Sequence, residues 1–203
     1  RPAFYRGGSR MTDFVGRANE LATLVAALHD VQRGAGRIVI VEGEAGIGKT
    51  RLIDEALATA GELTVRRTAG RALEQDLPFA AIQRAVGATS ATPDTGAPLH
   101  RLAVVETCVE TIEALAVDRP LVLVVEDLHW LDAGSLAVLA RLAALIRHMP
   151  LGLLLNTRPH PHSAELRSFI EGLEAGDVTR LNLVGLSPEE APASASSRVG
   201  AEN

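Results

Sequence analysis

The apolar run Ile38-Val39-Ile40-Val41 leads into Gly43-Glu44-Ala45-Gly46-Ile47-Gly48-Lys49-Thr50, and a helix-compatible segment, Arg51-Leu52-Ile53-Asp54-Glu55-Ala56-Leu57, follows at once. A strand, a glycine-rich loop and a helix at G-x-x-x-x-G-K-[ST] spacing form the pattern of a phosphate-binding P-loop. Gly43, Gly46 and Gly48 are free to take backbone angles closed to other residues, so the loop can wrap a phosphate. Successive N–H groups then turn inward, and the helix adds the positive end of its dipole. Lys49 supplies a mobile charge for the β- and γ-phosphates, and Thr50 offers a hydroxyl to Mg²⁺. Lys49 is also the only lysine in the chain. The predicted nucleotide contacts from this stretch are Gly43, Glu44, Ala45, Gly46, Ile47, Gly48, Lys49, Thr50 and Arg51.

The 203 residues suffice for one domain with a substantial core. At 47% apolar and 3% aromatic, that core must be built from Leu, Val, Ile and Ala. The net charge of −5 argues against a broad nucleic-acid-binding surface, so no direct DNA binding by this segment is expected. The single Cys108 excludes an intrachain disulfide and fits a reducing cytosol, hence a cytoplasmic protein. No run approaches the roughly 18 uninterrupted apolar residues of a membrane span. Residues 1–11 read as a flexible lead-in without a signal core.

Taken in order, the periodicity predicts an amphipathic helix over 17–33, a strand over 37–42 and a helix from the loop to about residue 60. Leu63–Ala69 alternates enough to be a strand near a sheet edge. A polar loop (70–78), a helix (79–88), a surface loop (89–98) and a long helix (99–117) come next. Leu121–Val125 and Leu151–Leu155 are continuous apolar runs, as expected for strands buried on both faces of a parallel sheet. Helices over 134–148 and 163–175 and a last strand over 177–183 complete the alternation. The fold class is therefore α/β with a parallel sheet. Ser187-Pro188-Glu189-Glu190 announces a further helix, but the Pro- and Ser-rich segment 191–203 can bury almost nothing and is expected to be disordered.

Two acids, Glu126 and Asp127, stand directly after the buried run Val122–Val125. Adjacent carboxylates there are costly to bury unless a metal or water satisfies them. A P-loop enzyme needs such a carboxylate to hold Mg²⁺ and to orient an attacking water. Asp127 is the favoured Mg²⁺ acid, alongside Thr50, and Glu126 the partner or water-activating base, with the reverse assignment open. An ordinary turn capped by Asp127 is the alternative. His129 lacks a second histidine at metal-ligand spacing and reads as structural, and the lone Trp130 is expected to pack under the strand end. Asn156 and Arg158 close the next strand, where they can approach the γ-phosphate.

Phe14-Val15-Gly16-Arg17 with Glu20-Leu21, the P-loop, Val124-Val125-Glu126-Asp127-Leu128-His129-Trp130-Leu131-Asp132 and Thr157-Arg158-Pro159 together resemble the AAA-like ATPase domain of signal-transduction ATPases of the STAND class. The likeness is nearest to the large ATP-binding LuxR-type bacterial transcriptional regulators and spans residues 12–190. It implies a three-layer P-loop NTPase with a parallel sheet of about five strands in the order 5-1-4-3-2 and helices on both faces. It also implies that Val15, Gly16 and Arg17 lie at the adenine, that Arg158 senses the γ-phosphate, and that ATP or ADP with Mg²⁺ acts as a switch for self-association or partner binding. The family's helical lid and winged helix should follow Leu183-Val184-Gly185-Leu186-Ser187, and they and the DNA-binding helix-turn-helix are expected to be missing from this stretch. Hydrolysis by this stretch, through Glu126, Asp127 and Arg158, is thus expected to be slow or absent even if binding survives. The competing reading is a non-catalytic protein-interaction module that keeps the fold. A small-molecule kinase would need an arginine-rich lid, and none stands in the sequence.

Overall fold

The computed structural model describes residues 16–87, 97–159, 162–173 and 178–185. The expected lead-in, most of the 89–98 loop, the Ser187 helix start and the 191–203 tail lie outside them, as do Phe14 and Val15.

The elements alternate as the apolar runs require: α1 (Ala18–Gln32), β1 (Arg37–Gly43), α2 (Lys49–Thr59), β2 (Thr64–Ala69), α3 (Ala80–Val86), α4 (Pro98–Asp118), β3 (Leu121–Glu126), α5 (Ala133–Leu145), β4 (Leu151–Thr157), α6 (Ala164–Glu171) and β5 (Val178–Leu183). Short 3₁₀ turns at Ala72–Glu74, Leu128–Trp130 and Ile146–His148 fill the connections. All five strands are parallel in the order β2-β3-β4-β1-β5. Read from the other edge, this is the 5-1-4-3-2 order that the resemblance implies. β2 is an edge strand, as its alternation suggests.

Strand periodicity sorts the core into two layers. Val39, Val41, Val122, Val124 and Leu154 face α1 and α2, packing with Leu24, Leu28, Leu52 and Ile53. Ile38, Ile40, Leu121, Leu123, Val125, Leu153 and Leu155 face α3 to α6. The first five residues of β3 and all of β4 are buried, which explains their unbroken apolar runs. Each such side chain contributes about 1.5–3 kcal/mol by leaving water. Cys108 lies in this core as a buried thiol, and burial raises its pKa, which suits packing rather than nucleophilic chemistry. Among the described residues, no helix is long and apolar enough to cross a membrane.

One polar knot ties the outer layer together. Asp132 is the N-cap of α5 and accepts the Ser135 N–H at 2.8 Å and the Ser135 hydroxyl at 2.7 Å. The same carboxylate accepts the Phe79 N–H at 2.7 Å. Ser135 Oγ in turn accepts the Ile82 N–H at 3.2 Å. The start of α5 thus caps the start of α3 and holds Phe79 at φ 62°, a left-handed conformation that disfavours a side chain. Asp132 and Ser135 are both buried. Asp132→Ala should lower stability by about 2–4 kcal/mol in urea unfolding, since it removes a cap and strands the Phe79 N–H. Asp132→Asn, which keeps an accepting oxygen, should lose less.

Candidate functional site

The carboxyl ends of β1, β3 and β4 meet at one rim, where open α/β sheets bind ligands. The β1–α2 loop takes the shape that its glycines permit. Gly46 (φ 76°) and Gly48 (φ 100°) adopt the left-handed conformation. Gly43 does not. Its requirement is space, because a Cβ there would sit 2.9 Å from Ile47 Cγ2 and 3.0 Å from the Leu183 carbonyl. Gly48 is the N-cap of α2 and supplies no side-chain cap, whereas Asp132 and Ser163 cap α5 and α6. The first N–H groups of α2 are therefore left for another acceptor.

A cleft of about 380 Å³ opens over this loop, lined by Ala45, Gly46, Gly48, Lys49, Thr50 and Arg51 on one side and by Asp127, Asn156 and Arg158 on the other. The lone lysine and the acid after β3 thus face the same space. Lys49 is only 8% exposed, and its Nζ donates to the carbonyls of Gly43 (2.7 Å) and Glu44 (3.0 Å). Burial pushes its pKa below the ordinary lysine range; Asp127 pulls it back up, Arg158 pushes it down again, and Glu44 raises it.

β3 is not adjacent to β1, because β4 runs between them. Asn156, buried at the end of β4, fills the gap and accepts the Asp127 N–H at 2.9 Å through Oδ1. Asp127 sits at φ 50° and makes no capping bond to the turn that follows, so the capping alternative is not what the chain adopts. Gly70 backs this turn closely, since a Cβ on it would lie 2.5 Å from the Asp127 carbonyl oxygen. The two acids are used differently. Glu126 Oε2 accepts the Thr50 hydroxyl at 2.6 Å, and Glu126 Oε1 accepts Arg67 Nη1 at 2.9 Å. Asp127 points into the cleft instead.

Gly16 and Arg17 line a second cleft of about 350 Å³ with Asn19, Glu20, Val184 and Gly185. Arg17 is buried and links the end of β5 to the loop, donating to the carbonyls of Val184 (2.8 Å) and Ile47 (3.4 Å). His129 is wedged behind the rim, with both ring nitrogens buried and without a hydrogen-bond partner. Burial holds its pKa below the ordinary value; Asp127 opposes this, and Arg158, Lys49 and His162 add to it. Trp130 does not pack under the strand end. It is 37% exposed and lies against His129 with ring centroids 5.2 Å apart. The Leu128–Trp130 turn buries Leu128 and leaves Trp130 exposed.

The oxygen donors suit Mg²⁺. Among the described residues, no three His, Cys, Asp or Glu side chains gather into a cage. Mg²⁺ does not need one, since it binds one or two carboxylates and completes its shell with water and phosphate. Thr50, Glu126 and Asp127 meet that demand without soft ligands.

Comparison with known proteins decides the family. The AAA ATPase domain matches residues 13–155, more than half of the chain. The chain belongs to the AAA ATPase domain family. This AAA ATPase domain is 28% identical over 231 residues to an uncharacterized protein of Rhizobium meliloti (strain 1021), covering 92% of the chain and 22% of that protein. Three solved structures share its fold. A Drosophila ORC chain from a DNA-bound structure superposes with TM-score 0.59 at 16% identity, covering 94% of this chain and 47% of that one. A RuvB variant of Thermotoga maritima gives 0.51 at 20%, with 87% and 48% covered. A Signal Transduction ATPase with Numerous Domains (STAND), carrying a tetratricopeptide repeat sensor, from Pyrococcus horikoshii gives 0.51 at 21%, with 100% and 28% covered. The chain spans less than half the length of each of these proteins.

Asn156→Ala should leave the Asp127 N–H without its acceptor. The expected cost is about 1–2 kcal/mol of stability, together with faster hydrogen exchange at the Asp127 amide.

Proposed function

We propose that this AAA ATPase domain is a nucleotide-operated switch that binds Mg²⁺ with ATP or ADP and hydrolyses ATP slowly. The observation that carries the reading is the cleft shared by Lys49 and Asp127, with Glu126 hydrogen-bonded to Thr50 beside it. The uncapped N–H groups of α2 and the Lys49 ammonium take the β- and γ-phosphates. Gly43, Glu44 and Ile47 shape the loop, and Arg51 lines the cleft. The second cleft, with Gly16 and Arg17, takes the base, and Val15 adjoins it in sequence.

The hydrogen bond supports the reverse of the favoured assignment of the acids. Glu126, held on Thr50, is the metal-side carboxylate. Asp127, free to face the cleft, orients and deprotonates the attacking water. Mg²⁺, when bound, neutralises charge building on the phosphate oxygens. Arg158 reads whether a γ-phosphate is present, and Asn156 passes that reading to the Asp127 turn. The motifs around Arg17 and Glu126–Asp132 favour a place in a STAND-class regulator of the LuxR type, cytoplasmic, whose output is self-association or partner binding. Residues 12–190 form the switch unit in this reading, and DNA contact falls to other parts of such a protein.

Lys49→Ala should weaken ATP binding about 10- to 100-fold, the worth of charge-assisted contacts to phosphate. Trp130 is the only tryptophan and abuts the site, so its intrinsic fluorescence can follow the titration. Undiminished ATP affinity in Lys49→Ala would remove the assignment. Asp127→Asn should bind ATP within a few-fold of wild type but release phosphate about 10²–10⁴ times more slowly. Equal phosphate release by both proteins would give the water to another group, and no release above background by either would favour a non-catalytic interaction module.

A further inference from the structure

Arg67 has no place in the loop pattern, yet it ends on the site. It stands on the edge strand β2, in register with Val124 of β3. Glu126 lies two residues beyond Val124 and so projects from the same face of the sheet. Arg67 Nη1 reaches Glu126 Oε1 at 2.9 Å, and Nη2 reaches Asp54 Oδ1 on α2. Asp54 is one helical turn beyond Thr50, so both point to the same side of α2. The result is a closed ring: Thr50 and Asp54 on the helix, Glu126 and Arg67 on the sheet. Each of Glu126's oxygens has a different partner, Thr50 for Oε2 and Arg67 for Oε1.

The geometry points to Arg67 as the positioning residue that locks the Glu126 carboxylate against Thr50 and thereby sets how much Mg²⁺ the nucleotide site requires. This rests on the nucleotide reading above. The physical reason is rotational. A glutamate has three side-chain torsions, and one hydrogen bond to a hydroxyl leaves its carboxylate free to swing about that contact. A guanidinium on the second oxygen removes that freedom, because its fork fixes direction as well as charge. Glu126's side chain is 17% exposed, so the pair is only partly screened by water. Asp54 holds the other end of the fork and stops Arg67 from following Glu126 out of place. Arg67 does not line the cleft over the loop, so it acts through Glu126.

The test is a Mg²⁺ titration of the whole chain at fixed concentration of a fluorescent ADP analogue, with a parallel titration of the analogue in EDTA and a thermal melt. Arg67→Gln should raise the Mg²⁺ concentration at half-effect about three- to tenfold, as expected for one partly exposed ion pair. Metal-free ADP affinity should stay within about twofold, because the phosphate contacts of Lys49 and α2 are untouched. Arg67→Lys, which keeps the charge but not the fork, should recover part of the shift. Asp54→Asn should move the half-effect point in the same direction by less. The melt reports any general loss of structure, which would move both titrations together. An unchanged or lowered Mg²⁺ requirement in Arg67→Gln overturns the inference, and so does an equal fall in metal-free affinity. A wild-type chain that binds no nucleotide, with or without Mg²⁺, removes the nucleotide reading and this inference together. A wild-type chain that binds, beside an Arg67→Gln variant with the same Mg²⁺ requirement, removes only this inference.

Discussion

Burial of β3 and β4 on both faces is the constraint from which the rest follows. A strand covered by helices on either side has no room for a polar side chain along its length. Every such group is driven to the strand's end, and in a parallel sheet all the carboxyl ends lie at one rim. Glu126, Asp127, Asn156 and Arg158 are therefore neighbours for the same reason that Val122–Val125 and Leu153–Leu155 are core. The driving force for the fold and the gathering of the site are one effect read at two positions along the same strands. The sheet order then decides the distances. With β4 between β1 and β3, the loop and the acids are separated by one strand width; the Thr50–Glu126 hydrogen bond crosses that gap, and Asn156 holds Asp127 from the strand between.

The site is partly built and partly waiting. Glu126 and Asp127 are fixed by Thr50, Arg67 and Asn156. Lys49, in contrast, spends its donors on carbonyls of its own loop, and burial already weakens its hold on the proton. An anion entering the cleft would offer it better partners than those two carbonyls. The turn after Asp127 is tied to Asn156 at one end and to the Asp132 cap at the other, and Gly70 presses on its back.

Much of this was legible in the chain. The unbroken runs Leu121–Val125 and Leu151–Leu155 announce strands buried on both sides, and the glycine spacing announces the loop. The strand order did not come from the runs; it came with the family likeness, because periodicity says which face is buried but not which strand is next door. The division of labour between the acids was half readable. Glu126 continues the face of Val122 and Val124, the one toward α2, so a strict period of two would have pointed it at Thr50. Asp127 broke that period by taking a left-handed angle, which residue type alone does not announce. Arg67 was out of reach, since its partners lie 13 and 59 residues away and only the register of β2 on β3 brings them together. Trp130 was misjudged because a large apolar residue beside a core strand was assumed to join the core, whereas a three-residue turn rotates it outward.

The edge strands carry a further consequence. An open sheet ends in two rows of unpaired backbone groups, and a flat apolar border invites other chains to extend the sheet. Here β2 is Thr-Val-Arg-Arg-Thr-Ala and β5 is Val-Thr-Arg-Leu-Asn-Leu, with Arg66, Arg67 and Arg180 set in the middle of each border. A second molecule adding a strand at either side would have to strip water from a guanidinium to do so. Charge set in the middle of both borders thus disfavours the addition of a further strand at either side.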